Sequence, residues 1–589
     1  MANKNEKLNN IRHSFAHVLA QAVLKFYPDA KLGIGPAIEN GFYYDFGNVE
    51  ISEKDLKKIQ GEMKKIISRD LKFKKEEWSV DKAKKYFKEQ DAKYKLDLID
   101  ELKKEENAKK VGIVHTGDKF TDLCRGGHVK STKDLNVDAF KLMRVAGAYW
   151  RGDEKNDMLT RVYGVAFENK KELDKYLKWM EEAKKRDHKK LGKKLDLFTF
   201  SDVVGKGLPL WTEKGSVIRR ELEKFIVEEE ISRGYTHVYT PDIAKISLYE
   251  KSGHYPYYKE SMYSPIDIDG EKFMLRPMTC PHHYELYLRK PHSYREMPRR
   301  IAEMANLYRY EQSGELSGLQ RVRTFTLADA HIICRKDQAK DEVMGALELI
   351  DFAAKTLGLK KYKDYWYRLS LREKGNNEKY YDNEKAWKES EKFLRDALKE
   401  RRDEFEEAEG EAAFYGPKID IQMRNVNGKE DTAFTVQYDF VGPERFNLNY
   451  INKKGDEERA VVVHRSSIGA IERSVAFLIE KYGGAFPLWL SPDQVWVVPV
   501  SEKFNKYGRE VMDKLREAGV RADICDGDDS LGKKIRNGEK NKLPYLLIVG
   551  EKEKKAGTVS VRDRQKGDEG AMKVEKFVEK IIKEVKNKK

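Results

Sequence analysis

A chain of 589 residues with 40% hydrophobic content can bury several cores, which points to three or four domains and excludes a peptide scaffold. Its 115 Lys and Arg against 100 Asp and Glu leave a formal net charge of +15, a moderate basic excess that favours a polyanionic partner but equally fits a highly charged soluble surface. The four scattered cysteines, Cys124, Cys280, Cys334 and Cys525, form no disulfide framework and suit a reducing compartment. A polar start and the absence of any apolar run near the ~20 residues of a membrane span argue against secretion and membrane insertion, so a cytoplasmic location is expected.

In chain order, the first region covers residues 11 to about 180 and opens with Ile11, Phe15, Val18, Leu19, Val23 and Phe26 at helical spacing, an amphipathic helix stopped by Pro28 and Asp29. Residues 52–110 are rich in Lys and Glu, with apolar residues every three or four places, and predict exposed helices rather than disorder. His13 and His17 are one helical turn apart, and Cys124 and His128 repeat that spacing across Gly126 and Gly127. Taken alone, these four residues form a tetrahedral zinc set. The strongly basic stretch 183–197 marks a linker or connecting helix. Residues 198–487 alternate long helical patterns with β-rich runs such as THVYTP and VRTFTLADAHIIC, as an α+β domain of catalytic size does. From residue 488 to 589 the pattern reads as strand VWVVPV, helix, strand RADI, helix, strands YLLIVG and TVSVRDR, and a terminal helix, a compact α/β appendage.

Three pieces of the middle region carry chemistry. The run LYRYEQSG at 307–314, followed by RVRTF at 321–325, can present Arg309 to a phosphate in fork geometry and Glu311 to the amino group of a purine. By itself an Arg-x-Glu pair reads as a surface ion pair. In VHRSSIGAIER at 463–473, small residues let backbone approach a flat base, and Arg473 projects from the first turns of a helix toward an outer phosphate. An exposed arginine on an amphipathic helix is the ordinary alternative. The run GYTHVYTP at 234–241 follows a helical pattern at 217–231 and closes on a proline, which suits a sheet edge or interface. In this order, helix-strand-proline, Arg-x-Glu loop and Gly-x-x-x-Arg helix resemble the three signature motifs of class II aminoacyl-tRNA synthetases. The segments RHSFAH, GFYYDF, DLCRGGH, GAYWRGD, RPMTCP, DAHIIC, FYGPKID and HRSSIGAIER extend the resemblance, over essentially the whole chain, to the threonyl-tRNA synthetase family.

That resemblance implies an α+β chain: an N-terminal α+β editing domain at 1–182, a linker helix at 183–197, a class II antiparallel-sheet catalytic domain at 198–487 and a C-terminal α/β anticodon-binding domain at 488–589. The ubiquitin-like domain common ahead of these in the family is not expected here. The implied activity is ATP-dependent joining of threonine to tRNA(Thr), with hydrolysis of mischarged Ser-tRNA, by a homodimer. One zinc ion per subunit would sit on Cys280, His331 and His464, residues whose sequence separation would otherwise mark each as merely packed. Magnesium accompanies ATP, which Arg309, Glu311, Arg321, Phe325, Gln437 and Arg473 bind. Arg309, Arg473 and Lys418 serve catalysis, and Met278, Asp329 and Tyr415 hold threonine. Editing falls to His13, His17, Tyr44, Asp45, Asp122, Cys124 and His128, with no metal required, and anticodon contacts to Arg536, Glu553 and Arg562, with Asp528 where an amide is more usual. Leu327 and Ala470 depart from the Gln and Ser usual in the family. Strand alternation adds that Phe325, Leu327, Asp329 and His331 share one face over ~20 Å, in the order adenine, ammonium, metal. A free-standing deacylase and a noncatalytic RNA-binding regulator are the rival readings, and the joint presence of Arg309, Glu311, Phe325 and Arg473 argues against both.

Overall fold

The computed structural model describes residues 2–589, and the chain separates into two compact units, the first ending at Glu182 and the second running Ala183–Lys589. No helix among the described residues is long and apolar enough to cross a membrane.

In the first unit the helix Ala2–Phe26 buries Ile11, Phe15, Val18, Leu19 and Val23, the face its apolar spacing defines. It packs over a sheet in which Lys31–Leu32, Gly41–Gly47, Met158–Ala166 and Phe140–Tyr149 lie side by side. The Lys- and Glu-rich region forms the helices Leu56–Ile67, Val80–Glu89 and Lys93–Glu105. Unlike the all-helical expectation, it also contains the strand Phe73–Ser79, which pairs antiparallel with Lys110–Thr116. Only Trp78 of that strand is buried, so its backbone ladder, rather than apolar alternation, makes it a strand.

The second unit is built on an eight-stranded sheet in the order Thr236–His237, Arg299–Tyr308, Thr324–Cys334, Val461–Ala470, Glu430–Asp439, Lys418–Arg424, Tyr365–Leu371 and Phe405–Glu409. The two outermost pairings are parallel and the rest antiparallel. Ala328, Ala330 and Ile332, with Val436, Val463 and Ile419, enter the main core beside Leu222, Phe225, Ile350 and Val475 of the covering helices. Alternation therefore sends Asp329, His331, Gln437, His464 and Lys418 to the opposite face. The basic stretch after residue 182 is no free connector: Asp187 caps the helix His188–Lys194 by accepting from the N–H groups of Lys189 and Lys190, and Leu191, Leu195 and Leu197 enter the same core.

Residues beyond 488 form a second sheet, in which Ala522–Ile524, Val495–Pro499 and Tyr545–Val549 run parallel and Thr558–Asp563 and Gly567–Lys573 continue antiparallel. Its own core joins Val497, Leu515, Leu547 and Phe577. The final strand, GDEGAMK, was not anticipated; it is an edge strand, with one neighbour to satisfy and little to bury.

Candidate functional site

On the open face of the eight-stranded sheet, register gathers residues that sequence separates. His331 pairs with His464, His464 with Gln437, and Gln437 with Lys418, so four side chains stand in one row across four strands at the close spacing of directly opposed positions. Phe325, Leu327, Asp329 and His331 run perpendicular to that row along a single strand. Between Leu327 and Asp329 the pairing with Val461–Ala470 shifts register, and Gly469 takes the slack with φ +65°. A Cβ there would lie 2.1 Å from the Ala433 carbonyl oxygen, so its own sheet, and not only a ligand, demands glycine.

At the Phe325 end three guanidinium groups converge. Arg309 lies 5.2 Å from the Phe325 ring centroid and donates to the Pro277 carbonyl at 3.3 Å. Arg473, on the helix Ile471–Tyr482, is held by the carbonyls of Gln320 at 3.1 Å and Thr432 at 2.6 Å. Burial pushes its pKa down; Asp431 counters this, and Arg309 and Arg321 push it further down. Such crowding of like charge in a half-buried place stores a demand for a polyanion. Glu311 accepts from Arg321 at 2.7 Å, so these two expected nucleotide-binding groups meet as an ion pair.

At the other end Cys280, His331 and His464 are buried and bring one donor atom each within 4.8 Å of the others. Cys280 opens the helix Cys280–Leu288. One thiol and two imidazoles, packed away from water, match the donor chemistry of zinc, and three protein ligands leave a coordination position open. Nε2 of His464 lies 2.9 Å from Oδ2 of Asp439. The Asp439 carboxylate also accepts from the N–H groups of Val441 and Gly442, both at 2.8 Å. Burial pushes the Asp329 carboxyl up, outweighing the opposing pull of His283, His464 and Arg465. The Tyr415 ring stacks on His464 with centroids 5.2 Å apart and donates its hydroxyl to Gln437. Lys418 pairs with Asp420 at 2.8 Å, and Met278 packs against the cluster containing Cys280 and Tyr284.

The first unit holds a cleft of about 510 Å³ lined by His13, His17, Lys95, Asp122, Cys124 and Gly126. His13 and His17 come from the long helix, while Cys124 and His128 flank the left-handed pair Gly126 and Gly127. Sγ of Cys124 lies 3.5 Å from Nε2 of His13 and 3.3 Å from Nε2 of His128. Burial lowers the pKa of His13, His17 and His128 and raises that of Cys124 to about 11, so all four are neutral around pH 7. Beside them lies a residue the sequence did not single out: Lys95, whose Nζ is 2.6 Å from Oδ1 of Asp122 and 3.2 Å from the Tyr44 hydroxyl. Tyr44 donates to Asp122. Asp45 does not join them, because neighbouring residues on the strand Gly41–Gly47 face opposite ways; it is clamped by Arg161 at 2.6 and 2.8 Å.

In the C-terminal sheet, Arg536 is exposed on the helix Leu531–Lys540. Arg562 pairs with Glu539 at 3.1 Å, and Glu553 accepts from the Gly550 N–H at 2.9 Å, capping a short helix.

Known proteins show the same arrangement of parts. Residues 261–482 match the tRNA synthetase class II core domain (G, H, P, S and T), 494–584 the anticodon binding domain, and 111–163 the threonyl and alanyl tRNA synthetase second additional domain. Fold, motifs and matches together define a class II aminoacyl-tRNA synthetase. The chain is 49% identical over 582 residues to the threonine–tRNA ligase of Anoxybacillus flavithermus, covering 98% of this chain and 89% of that one. It is 48% identical over 583 residues to threonine–tRNA ligase 1 of Bacillus subtilis, covering 99% and 89%. A crystal structure of the RNA binding domain of threonyl-tRNA synthetase from Cryptosporidium parvum superposes with a TM-score of 0.64 at 35% identity, over 67% of this chain and 98% of that one. The chain belongs to the threonine–tRNA ligase family.

Proposed function

We propose that the chain activates threonine with ATP, transfers it to tRNA(Thr), and hydrolyses Ser-tRNA in its first unit. In the first step a threonine carboxylate oxygen attacks the α-phosphorus of ATP and pyrophosphate leaves. In the second, a hydroxyl of the terminal tRNA ribose attacks the adenylate carbonyl carbon and AMP leaves. Arg309 neutralises charge at the α-phosphate, where magnesium arriving with ATP would add further positive charge, and Arg473 and Arg321 hold the departing phosphates. Phe325 stacks on adenine and Glu311 accepts from its amino group. Gln437 and Lys418 extend the polar wall, and Met278, Asp329 and Tyr415 enclose the amino acid, with Asp329 taking its ammonium.

The observation that carries this reading is the buried Cys280, His331 and His464 donor set at the end of the strand that also bears Asp329 and Phe325. Zinc held there would supply a Lewis-acid position matched to the amino nitrogen and hydroxyl oxygen of threonine. Valine lacks the hydroxyl, and a site built on a polar contact rejects such an analogue strongly; serine lacks only a methyl, worth about 1–3 kcal/mol. Serine is therefore mischarged, and a second, hydrolytic site follows. There His13, His128 and Asp122 position water and the ribose hydroxyl without metal, supported by His17, Tyr44 and Cys124. Arg536, Glu553 and Arg562 read anticodon base edges.

A homodimer is part of the proposal, supported by Tyr239, 94% exposed next to the edge strand Thr236–His237, and by the exposed Ile243, Ile266 and Ile268. Pyrophosphate exchange into ATP tests the whole: threonine supports it, serine supports it weakly and valine does not. Equal exchange with valine, in protein without stoichiometric zinc, would overturn the reading.

A further inference from the structure

Two of the three donors at the buried metal site are histidines, and an imidazole can donate only through the nitrogen that carries no proton. Which nitrogen is bare is decided by what the other one bonds. For His464 the answer is direct: Nε2 faces the Asp439 carboxylate at 2.9 Å, a carboxylate only accepts, and Nδ1 is left bare.

His331 is different, because its partner is another histidine. Its Nδ1 lies 2.8 Å from Nδ1 of His283, and two nitrogens at that distance share one proton. The far side of His283 decides who owns it. Nε2 of His283 lies 3.2 Å from Oε2 of Glu303, so a neutral His283 carries its proton on Nε2 and accepts on Nδ1. His331 must then donate from Nδ1, which leaves its Nε2 bare.

Glu303 is itself pinned. Arg276 Nη1 reaches its Oε1 at 3.0 Å, and the hydroxyl and N–H of Thr240 donate to its two oxygens at 2.8 and 3.2 Å. Arg276 is fixed in turn by the Asn306 carbonyl at 2.6 Å and by Asp242 at 2.9 Å. The His283, Glu303 and Arg276 side chains are at most 2% exposed. Burial works against the Glu303 carboxylate, but His283, Arg276 and Thr240 outweigh it and hold its pKa down to about 2. An ionised, immobile acceptor therefore stands behind His283.

We propose that His283, braced by Glu303, is a positioning residue for the metal, fixing the tautomer and ring orientation of His331 so that Nε2 is the donor atom. This rests on the reading of Cys280, His331 and His464 as zinc ligands. A residue that merely fills space behaves differently from one that supplies an acceptor, and two substitutions separate the cases. His283→Phe keeps a ring and loses the acceptor; His283→Asn loses the ring but carries a carbonyl oxygen about where histidine carries Nδ1.

The test measures zinc affinity of the full-length chain by competition with a chromophoric chelator, with metal content by elemental analysis and the thermal midpoint of each metal-free protein. His283→Phe weakens zinc binding about 10- to 100-fold, and His283→Asn recovers most of that loss. Undiminished affinity in His283→Phe, or weaker binding in His283→Asn than in His283→Phe, overturns the proposal. If His283→Phe does not fold, Glu303→Gln carries the test, since it keeps shape and removes the charge: weaker binding supports the relay and unchanged binding overturns it. An unsubstituted chain that takes up no zinc, or a Cys280→Ser chain that holds it undiminished, overturns the metal reading itself and the proposal with it.

Discussion

Lys95 offers the sharpest test of the hydrolytic cleft. It pairs with Asp122 at 2.6 Å, and both side chains are 3% exposed. Removing one member of such a pair costs about 3–5 kcal/mol, because the survivor stays charged and buried. In Lys95→Met, Asp122 keeps, among the described residues, the Tyr44 hydroxyl as donor and Nε2 of His17 at 3.8 Å. At 3 kcal/mol, amides of the helix Lys93–Glu105 exchange with solvent roughly 160-fold faster if they open through this local transition. Hydrogen exchange followed by mass spectrometry reads that segment without requiring the whole chain to unfold in one step. In Lys95→Met/Asp122→Leu the orphaned charge is gone, and protection returns to within about tenfold of the unsubstituted chain. Hydrolysis of Ser-tRNA is lost in both variants, so stability and chemistry separate. Exchange within about threefold of normal in Lys95→Met, where a buried pair requires two orders of magnitude more, would refute the reasoning; so would full hydrolysis in either variant.

Two further outcomes are expected. Gly469→Ala meets both a left-handed φ of +65° and the Ala433 carbonyl oxygen at 2.1 Å, a conformational cost of about 1–2 kcal/mol before the clash is counted. The strand bearing His464 must shift, so threonine-dependent pyrophosphate exchange falls more than about tenfold while Ser-tRNA hydrolysis is unchanged; equal loss of both would point to general misfolding. Cys124, pushed up to about 11 mainly by burial, is a neutral thiol at pH 7 and reacts with iodoacetamide at least about tenfold more slowly than an ordinary thiol of pKa ~8.5, its much smaller thiolate fraction being partly offset by the greater nucleophilicity of the more basic thiolate. Its rate climbs about tenfold per pH unit toward 11, and peptide mass spectrometry at several pH values would show an early plateau if that shift is wrong.

The large features of the fold were legible because they are written in apolar periodicity: the helix Ala2–Phe26, the strand Thr324–Cys334 and the C-terminal parallel strands. Phe73–Ser79 and Gly567–Lys573 escaped because edge strands need only a ladder partner, and a ladder leaves no hydrophobic signature. Arg309 and Arg473 could be picked out locally, since each sits in a run whose composition suggests its task. Cys280, His331 and His464 could not, because what unites them is the register His331 with His464 and a helix that starts at Cys280. Lys95 was one of 115 basic residues with nothing nearby to mark it as buried. Asp45 is the converse case: strand alternation alone would have turned it away from Tyr44, and the family pattern overrode that signal.

Leu327 and Ala470, two places where the sequence leaves the family pattern, are direct partners across the ladder. A polar group restored at one of them therefore looks across at a hydrocarbon surface, whereas restoring both gives each a mate. The two positions are therefore coupled: what a polar group costs at either one depends on what stands opposite it, and a double-substitution cycle across the pair would read a non-zero interaction energy.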